Sequence, residues 1–231
     1  MSEIHIIKQV TLTEDGPAVS DSLTKATPQL IHLRQGSLDG ACGTYCLCMA
    51  LITLGYEKHT KITNLFAPAP AAGELFRIIS DNNSALIREG ADTKDILKYL
   101  KPYIDKGLKH ETKNAKLHGN DSQHKENGKQ FDHTRVKDFV IEHILKDHVV
   151  LLASQYHWVM VVGLEYAEII PRDVEEYANP RLFLLLDPDA ETPKFSVWNG
   201  VIDISQSGKG NHWFGSGNHA FYEAIALWRE Q

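Results

Sequence analysis

The sequence predicts an α+β fold, with helices in its first half and an antiparallel sheet in its second. Two observations predict it. Residues 42–54 carry Tyr45, Leu47, Met49, Ala50, Leu51, Ile52 and Leu54, and a helix that is apolar all round is a buried one. Four later runs, 149–154, 157–166, 182–187 and 195–204, are rich in β-formers and separated by turn signals. Helices grouped before strands, rather than alternating with them, belong to the α+β class.

The elements follow in order. Residues 1–30 are largely polar, with a short strand-like start at Ile4, Ile6, Ile7 and Val10, and read as an arm that packs on the body. Residues 31–41 form a loop in which Gln35-Gly36 and Asp39-Gly40 are turn pairs. The buried helix starts at Cys42, and Gly55 stands where a C-terminal cap belongs. Residues 60–105 are helical and irregular. APAPAA at 67–72 breaks the pattern, and Leu75, Phe76, Ile78 and Ile79 mark a short helix. Asp92 or Thr93 caps another helix through Leu100, with Pro102 just beyond it. Residues 106–134 hold Lys, His, Asn, Gln, Asp and Gly with almost no large apolar side chain. Such a stretch buries little and is expected to be a mobile insertion. Val136, Phe139, Val140 and Ile144 recur at helical spacing before the strands begin. Residues 207–219, rich in Gly, Asn and His, read as a loop, and 220–228 fit helix or strand equally. No internal repeat is visible, so one domain over 1–231 is expected.

Composition narrows the function. A chain of 231 residues, 42% hydrophobic, is long enough to bury a real core. A net charge of −6 argues against a nucleic-acid partner, which needs a basic face. No polybasic segment is present to meet anionic lipid. The N-terminus lacks a basic stretch followed by an apolar run, so no secretory signal is expected. The longest uncharged stretch, Gly40 to Tyr56, is short for a membrane span. Cys42, Cys46 and Cys48 are odd in number and clustered, unlike a disulfide framework. The expected compartment is reducing and cytoplasmic.

Cys42 is the residue around which chemistry can be built. It opens the buried helix, where unpaired N–H groups and the positive end of the dipole stabilise an anion. The thiolate is the nucleophilic form of cysteine, and Gly43 leaves room beside the sulfur. Such a nucleophile also needs a base and an oxyanion donor. Gln35 lies upstream across a Gly-rich loop that can fold back, so its amide and the Cys42 N–H can converge. His157 opens a strand and is held by a rigid element. Asp187 ends the run LFLLLD, where a carboxylate is costly without a partner. A neighbouring strand carrying His157 would supply one, and Asp187 would then fix the imidazole tautomer.

Three blocks, RQGSLDGACGTYCLCMAL at 34–51, HWVMVVG at 157–163 and LLLDPD at 184–189, resemble the papain-like cysteine peptidases. The resemblance is greatest to the bacteriocin-processing, double-glycine peptidases and their stand-alone bacterial relatives. In that family a Gln precedes a Cys-Gly pair that opens a helix. A His begins a valine-rich strand, and an Asp-Pro ends the next one. Carried over by position, the resemblance implies Gln35 as oxyanion residue, Cys42 as nucleophile, His157 as base and Asp187 as its orienting acid. It implies a helical half and a β half flanking a cleft, a peptide or protein substrate, and no cofactor. The Gln-to-Cys spacing here is one residue longer than is usual in the family. The rest of the chain lies outside these blocks.

Blander readings fit the remaining candidates. Cys46 and Cys48 read as core residues. The spacing of the three cysteines suits neither structural zinc nor a ferredoxin cluster, so no metal is expected. His212, Trp213, His219 and the His-rich stretch 109–133 read as solvated, and Trp158 and Trp198 as core or groove-wall aromatics. Thioester chemistry leaves two enzyme readings, a peptidase and a deamidase or transglutaminase-like effector that attacks a side-chain amide. A third reading is an inactive peptide-binding module on the same fold.

Overall fold

A computed structural model of the chain describes residues 2–20, 28–35, 41–63, 91–116, 125–126, 129–154, 157–166, 180–205, 209–212 and 218–230. The expected turn at Asp39-Gly40, the break at 67–72, the short helix at Leu75–Ile79 and Trp213 lie outside these residues. In chain order the elements are β1 (Glu3–Ile6), β2 (Val10–Thr13), β3 (Gly16–Val19), α1 (Cys42–Thr53), α2 (His59–Thr63) and α3 (Thr93–Ile104). Next come β4 (Leu108–Asn114), β5 (Lys125–Glu126), β6 (Lys129–Gln130), α4 (His133–Leu145), β7 (Val149–Ala153), β8 (Trp158–Tyr166) and β9 (Leu182–Leu186). The last are β10 (Gly200–Asp203), β11 (Lys209–His212), β12 (Asn218–Ala220) and β13 (Glu223–Arg229). Among the described residues no helix is long and apolar enough to cross a membrane.

Helix α1 is the central element that its composition predicts. All of its residues but Tyr45 are buried. Gly55 ends it at φ 75°, a conformation that suits glycine, and its N–H donates to the Ile52 carbonyl at 3.0 Å. Among the described residues the main sheet has nine strands, in the order β12-β11-β10-β9-β8-β7-β13-β4 with β1 pairing with β8 off that path. Every pairing is antiparallel, so the fold is α+β with an antiparallel sheet. β7 and β9 are buried along their whole length and β8 from Trp158 to Leu164. This explains their unbroken apolar runs, and α1 and α4 both pack on β7 and β8.

The N-terminal arm packs on the body as expected. β1 pairs with the far half of β8, Ile6 opposite Gly163. A Cβ at Gly163 would run into the His5 carbonyl, so only glycine lets the arm approach there. Asp92 caps α3 in a reciprocal box with Asp95.

The structure differs from the sequence reading at four places. Helix α3 runs past Pro102 to Ile104. In its last turn Pro102 removes one hydrogen bond, and the residue after it, Tyr103, is buried with its hydroxyl donating to the buried Glu57 at 2.7 Å. Residues 106–134, expected as an insertion, contribute β4, which pairs with β13 at the sheet edge. β4 is largely solvent-facing, which is why its sequence is polar. The loop expected over 207–219 contains the paired strands β11 and β12. The strand expected over 195–204 begins only at Gly200. The ambiguous segment 220–228 resolves to a strand, β13.

At the end of β7 nearest α4, His148 lies flat on Trp228, ring centroids 4.4 Å apart, and its Nδ1 meets His143 Nδ1 at 2.8 Å. Burial first, then His143 and Lys146, lower the His148 pKa to about 4. The neutral ring is therefore favoured in the folded state. Its contribution to stability is full above the unfolded value of 6.5 and is lost as pH falls through about 4. Melting temperature is expected to drop on acidification across that window. In His148→Phe, which keeps the stacking and removes the proton, the drop should be smaller by roughly 3 °C. Equal drops in both proteins would refute this.

Candidate active site

The site lies where α1 begins and where β8 starts beside the end of β9. Met160 pairs with Leu186, so the residue before β8, His157, and the residue after β9, Asp187, emerge at the same end of the sheet. His157 Nε2 donates to Asp187 Oδ1 at 2.8 Å. The other side of the ring is left for Cys42, whose side chain is also hydrogen-bonded to it. One imidazole thus joins the cysteine at a helix start to a carboxylate at a strand end. Burial disfavours the imidazolium, but the hydrogen bonds to Asp187 and Cys42 and the charges of both outweigh it. The His157 pKa rises to about 10. The ring is protonated at neutral pH, and part of it remains open, with 30% of its side chain exposed against 6% for Asp187.

Trp158 fixes the distance between helix and strand. Its backbone N–H donates to Cys42 Sγ at 3.4 Å, and its carbonyl accepts from Cys46 Sγ at 3.3 Å. Two cysteines one helical turn apart therefore grip one residue of β8. Its indole Nε1–H donates to the Ala91 carbonyl at 2.9 Å. A Cβ on Gly43 would sit 3.0 Å from the Trp158 ring, so glycine after the nucleophile candidate admits the indole. Burial pushes the Cys46 thiol well above its ordinary pKa and raises that of Cys48 to about 12. Both therefore remain thiols, as core residues would.

Asp187 serves two purposes. Its Oδ1 also accepts from the Asp189 N–H at 2.9 Å, the turn that Asp-Pro sequences favour. Gln35 is tied to the same corner, its N–H donating to the Pro188 carbonyl at 2.7 Å. The structure thus brings Cys42, His157 and Asp187 into contact and anchors Gln35 by its backbone beside them. The sequence reading did not single out His32 and Asn199, which touch the Asp187 main chain. Neither stands in a motif that would have announced it. A cavity of about 820 Å³ lies elsewhere, lined by Ile52, Thr53, Leu54 and Gly55 at the far end of α1. Cys42 and Ile52 lie at opposite ends of α1, about 15 Å apart along its axis.

No family model matches the chain, and no curated protein matches it. Among solved structures the chain is similar to the crystal structure of UfSP from C. elegans, at 12% identity and a TM-score of 0.48. The alignment covers 100% of this chain and 35% of that one, so this chain spans about a third of its length. A likeness of this degree leaves fold family and activity to be argued from the chain's own residues.

Proposed function

We propose that the chain is a papain-like cysteine peptidase that cuts peptide bonds in a peptide or protein substrate. The observation that carries this reading is the single imidazole of His157, bonded to Cys42 on one side and to the buried Asp187 on the other. A protonated ring beside a sulfur favours a thiolate–imidazolium pair, the resting form of an activated cysteine. The Cys42 sulfur attacks the peptide carbonyl, and its electron pair forms the C–S bond. The oxyanion is held by the Cys42 N–H and the Gln35 amide. His157 gives its proton to the leaving amine as the C–N bond breaks, leaving a thioester. The now neutral ring takes a proton from water, which attacks the thioester, and the thiolate departs. Asp187 keeps Nδ1 turned to the sulfur and stabilises the ring whenever it is charged.

The test is incubation with a proteome-derived peptide library, read by mass spectrometry. New termini with the wild type and none with Cys42→Ala are expected. Substrates that gain about one mass unit at Gln or Asn without new termini would replace the peptidase reading by a deamidase, which shares the thioester step.

A further inference from the structure

Beyond the ladder of β9 and β10 the chain holds Asp187 in an unusual way. The Asn199 N–H still donates to the Leu185 carbonyl at 2.9 Å, but the two chains then part. The Asn199 side chain spans the gap. Its Oδ1 accepts from the Asp187 N–H at 2.7 Å, and its Nδ2 donates to the Asp187 carbonyl at 2.9 Å and to the Glu191 carbonyl at 3.1 Å. One side-chain amide thus replaces both backbone partners of the strand that has left. His32, 5% exposed, closes the other side. Its Nε2 lies 3.0 Å from the Asp187 carbonyl and its Nδ1 2.9 Å from Thr192 Oγ1. Nε2 also lies 3.1 Å from Asn199 Nδ2, whose two hydrogens go to the Asp187 and Glu191 carbonyls, so the neutral tautomer with Nε2–H donating to the Asp187 carbonyl and Nδ1 accepting from the hydroxyl fits the main-chain contact. Burial favours that neutral form and lowers the ring's pKa, against the pull of Asp187.

We propose that His32 and Asn199 form a clamp on the Asp187 main chain that aims its carboxylate at His157, which makes both positioning residues for the Cys42–His157 pair. The clamp fixes the residue that carries the carboxylate, and a strand end without it would let the side chain turn away. The segment that carries His32 also carries Gln35, whose N–H is bonded to Pro188. One three-residue step of chain therefore holds the acid and the oxyanion candidate in register. The catalytic meaning of the clamp rests on the peptidase reading, whereas its effect on His157 does not.

The test follows the His157 ring by NMR through a pH titration, with alkylation of Cys42 by iodoacetamide alongside. Variants are Asn199→Ala, His32→Leu and His32→Gln, each also made with Asp187→Asn. Folding is checked by circular dichroism and urea midpoint. In Asn199→Ala and His32→Leu, His157 is expected to lose its proton about one pH unit lower than in the wild type, a tenfold change in acidity. Alkylation below neutral pH should slow about tenfold in step. His32→Gln, which keeps an N–H near the Nε2 position, should restore most of both. With Asp187→Asn, the clamp substitutions should shift His157 no further, because they act only through that carboxylate. Folded variants that titrate as wild type overturn the clamp, and so does an equal shift in the Asp187→Asn background. If Asn199→Ala does not fold, the His32 pair decides alone. An unreactive Cys42 in the wild type would strike the peptidase reading and leave the ring titration to judge the clamp.

Discussion

His157→Ala is expected to slow the alkylation of Cys42 by iodoacetamide about 100-fold near pH 6. A free thiol that ionises near pH 8.5 is only about 0.3% thiolate there. In the wild type the His157 pKa is raised to about 10 and the ring is bonded to the Cys42 side chain, so a cation is favoured beside the sulfur at this pH. Alanine removes the cation and the hydrogen bond together. Labelling located by mass spectrometry should be confined to Cys42, because burial holds Cys46 and Cys48 as thiols and neither is bonded to His157. The same raised pKa sets a stability window. The contribution of charged His157 to folding is full below pH 6.5 and disappears as pH rises through about 10. Slow labelling that rises only near pH 8.5 and ignores His157 would remove the activated pair. The inactive peptide-binding module would then be the better reading.

Trp158→Ala is expected to cost about 3–5 kcal/mol of folding stability, read as a lower urea midpoint at constant slope. The residue is 6% exposed, and its indole fills the space between Gly43 and Ala91. Truncation leaves a cavity there and takes away the donor to the Ala91 carbonyl. The backbone bonds from Trp158 to Cys42 and Cys46 survive in principle, yet nothing then sets their spacing. Reactivity of Cys42 should therefore fall in the variant even where it remains folded. Trp158→Phe should lose less, since most of the volume is kept. A loss below about 1 kcal/mol in Trp158→Ala would mean that the indole does not brace α1 against β8.

How much of this was legible in the sequence follows from where each residue sits. Helix α1 apart from Tyr45, strands β7 and β9, and β8 from Trp158 to Leu164 are buried, so their composition alone marks them. β4 is largely solvent-facing and, among the described residues, pairs with β13 alone, and its polar sequence, LKHETKN, looks like a loop. β11 pairs with both β10 and β12, but its sequence, KGNH, has the composition of a turn. Pro102 misled because a proline in the last turn costs one bond, and the burial of Tyr103 beyond it offsets that. Cys42, His157 and Asp187 could be singled out as candidates because each stands at the end of a recognisable element. Asn199 and His32 escaped because they act on a backbone far away in sequence, through side chains of no special type. Cys46 was placed in the core correctly, but its bond to Trp158 needs the two elements already packed.

The near-complete burial of α1 has a consequence for how the protein can be switched off. A helix with no polar face cannot detach into water without exposing nearly all of its side chains. Its amides, with those of β8, should exchange with solvent only through the whole-molecule opening that sets the largest protection factors. Cys42 begins that helix and His157 immediately precedes that strand, so no small fluctuation can part them. In a urea titration the reactivity of Cys42 and the native tryptophan signal should vanish together. A separate inactive intermediate is absent from the expected pathway, and inactivation and unfolding are one event.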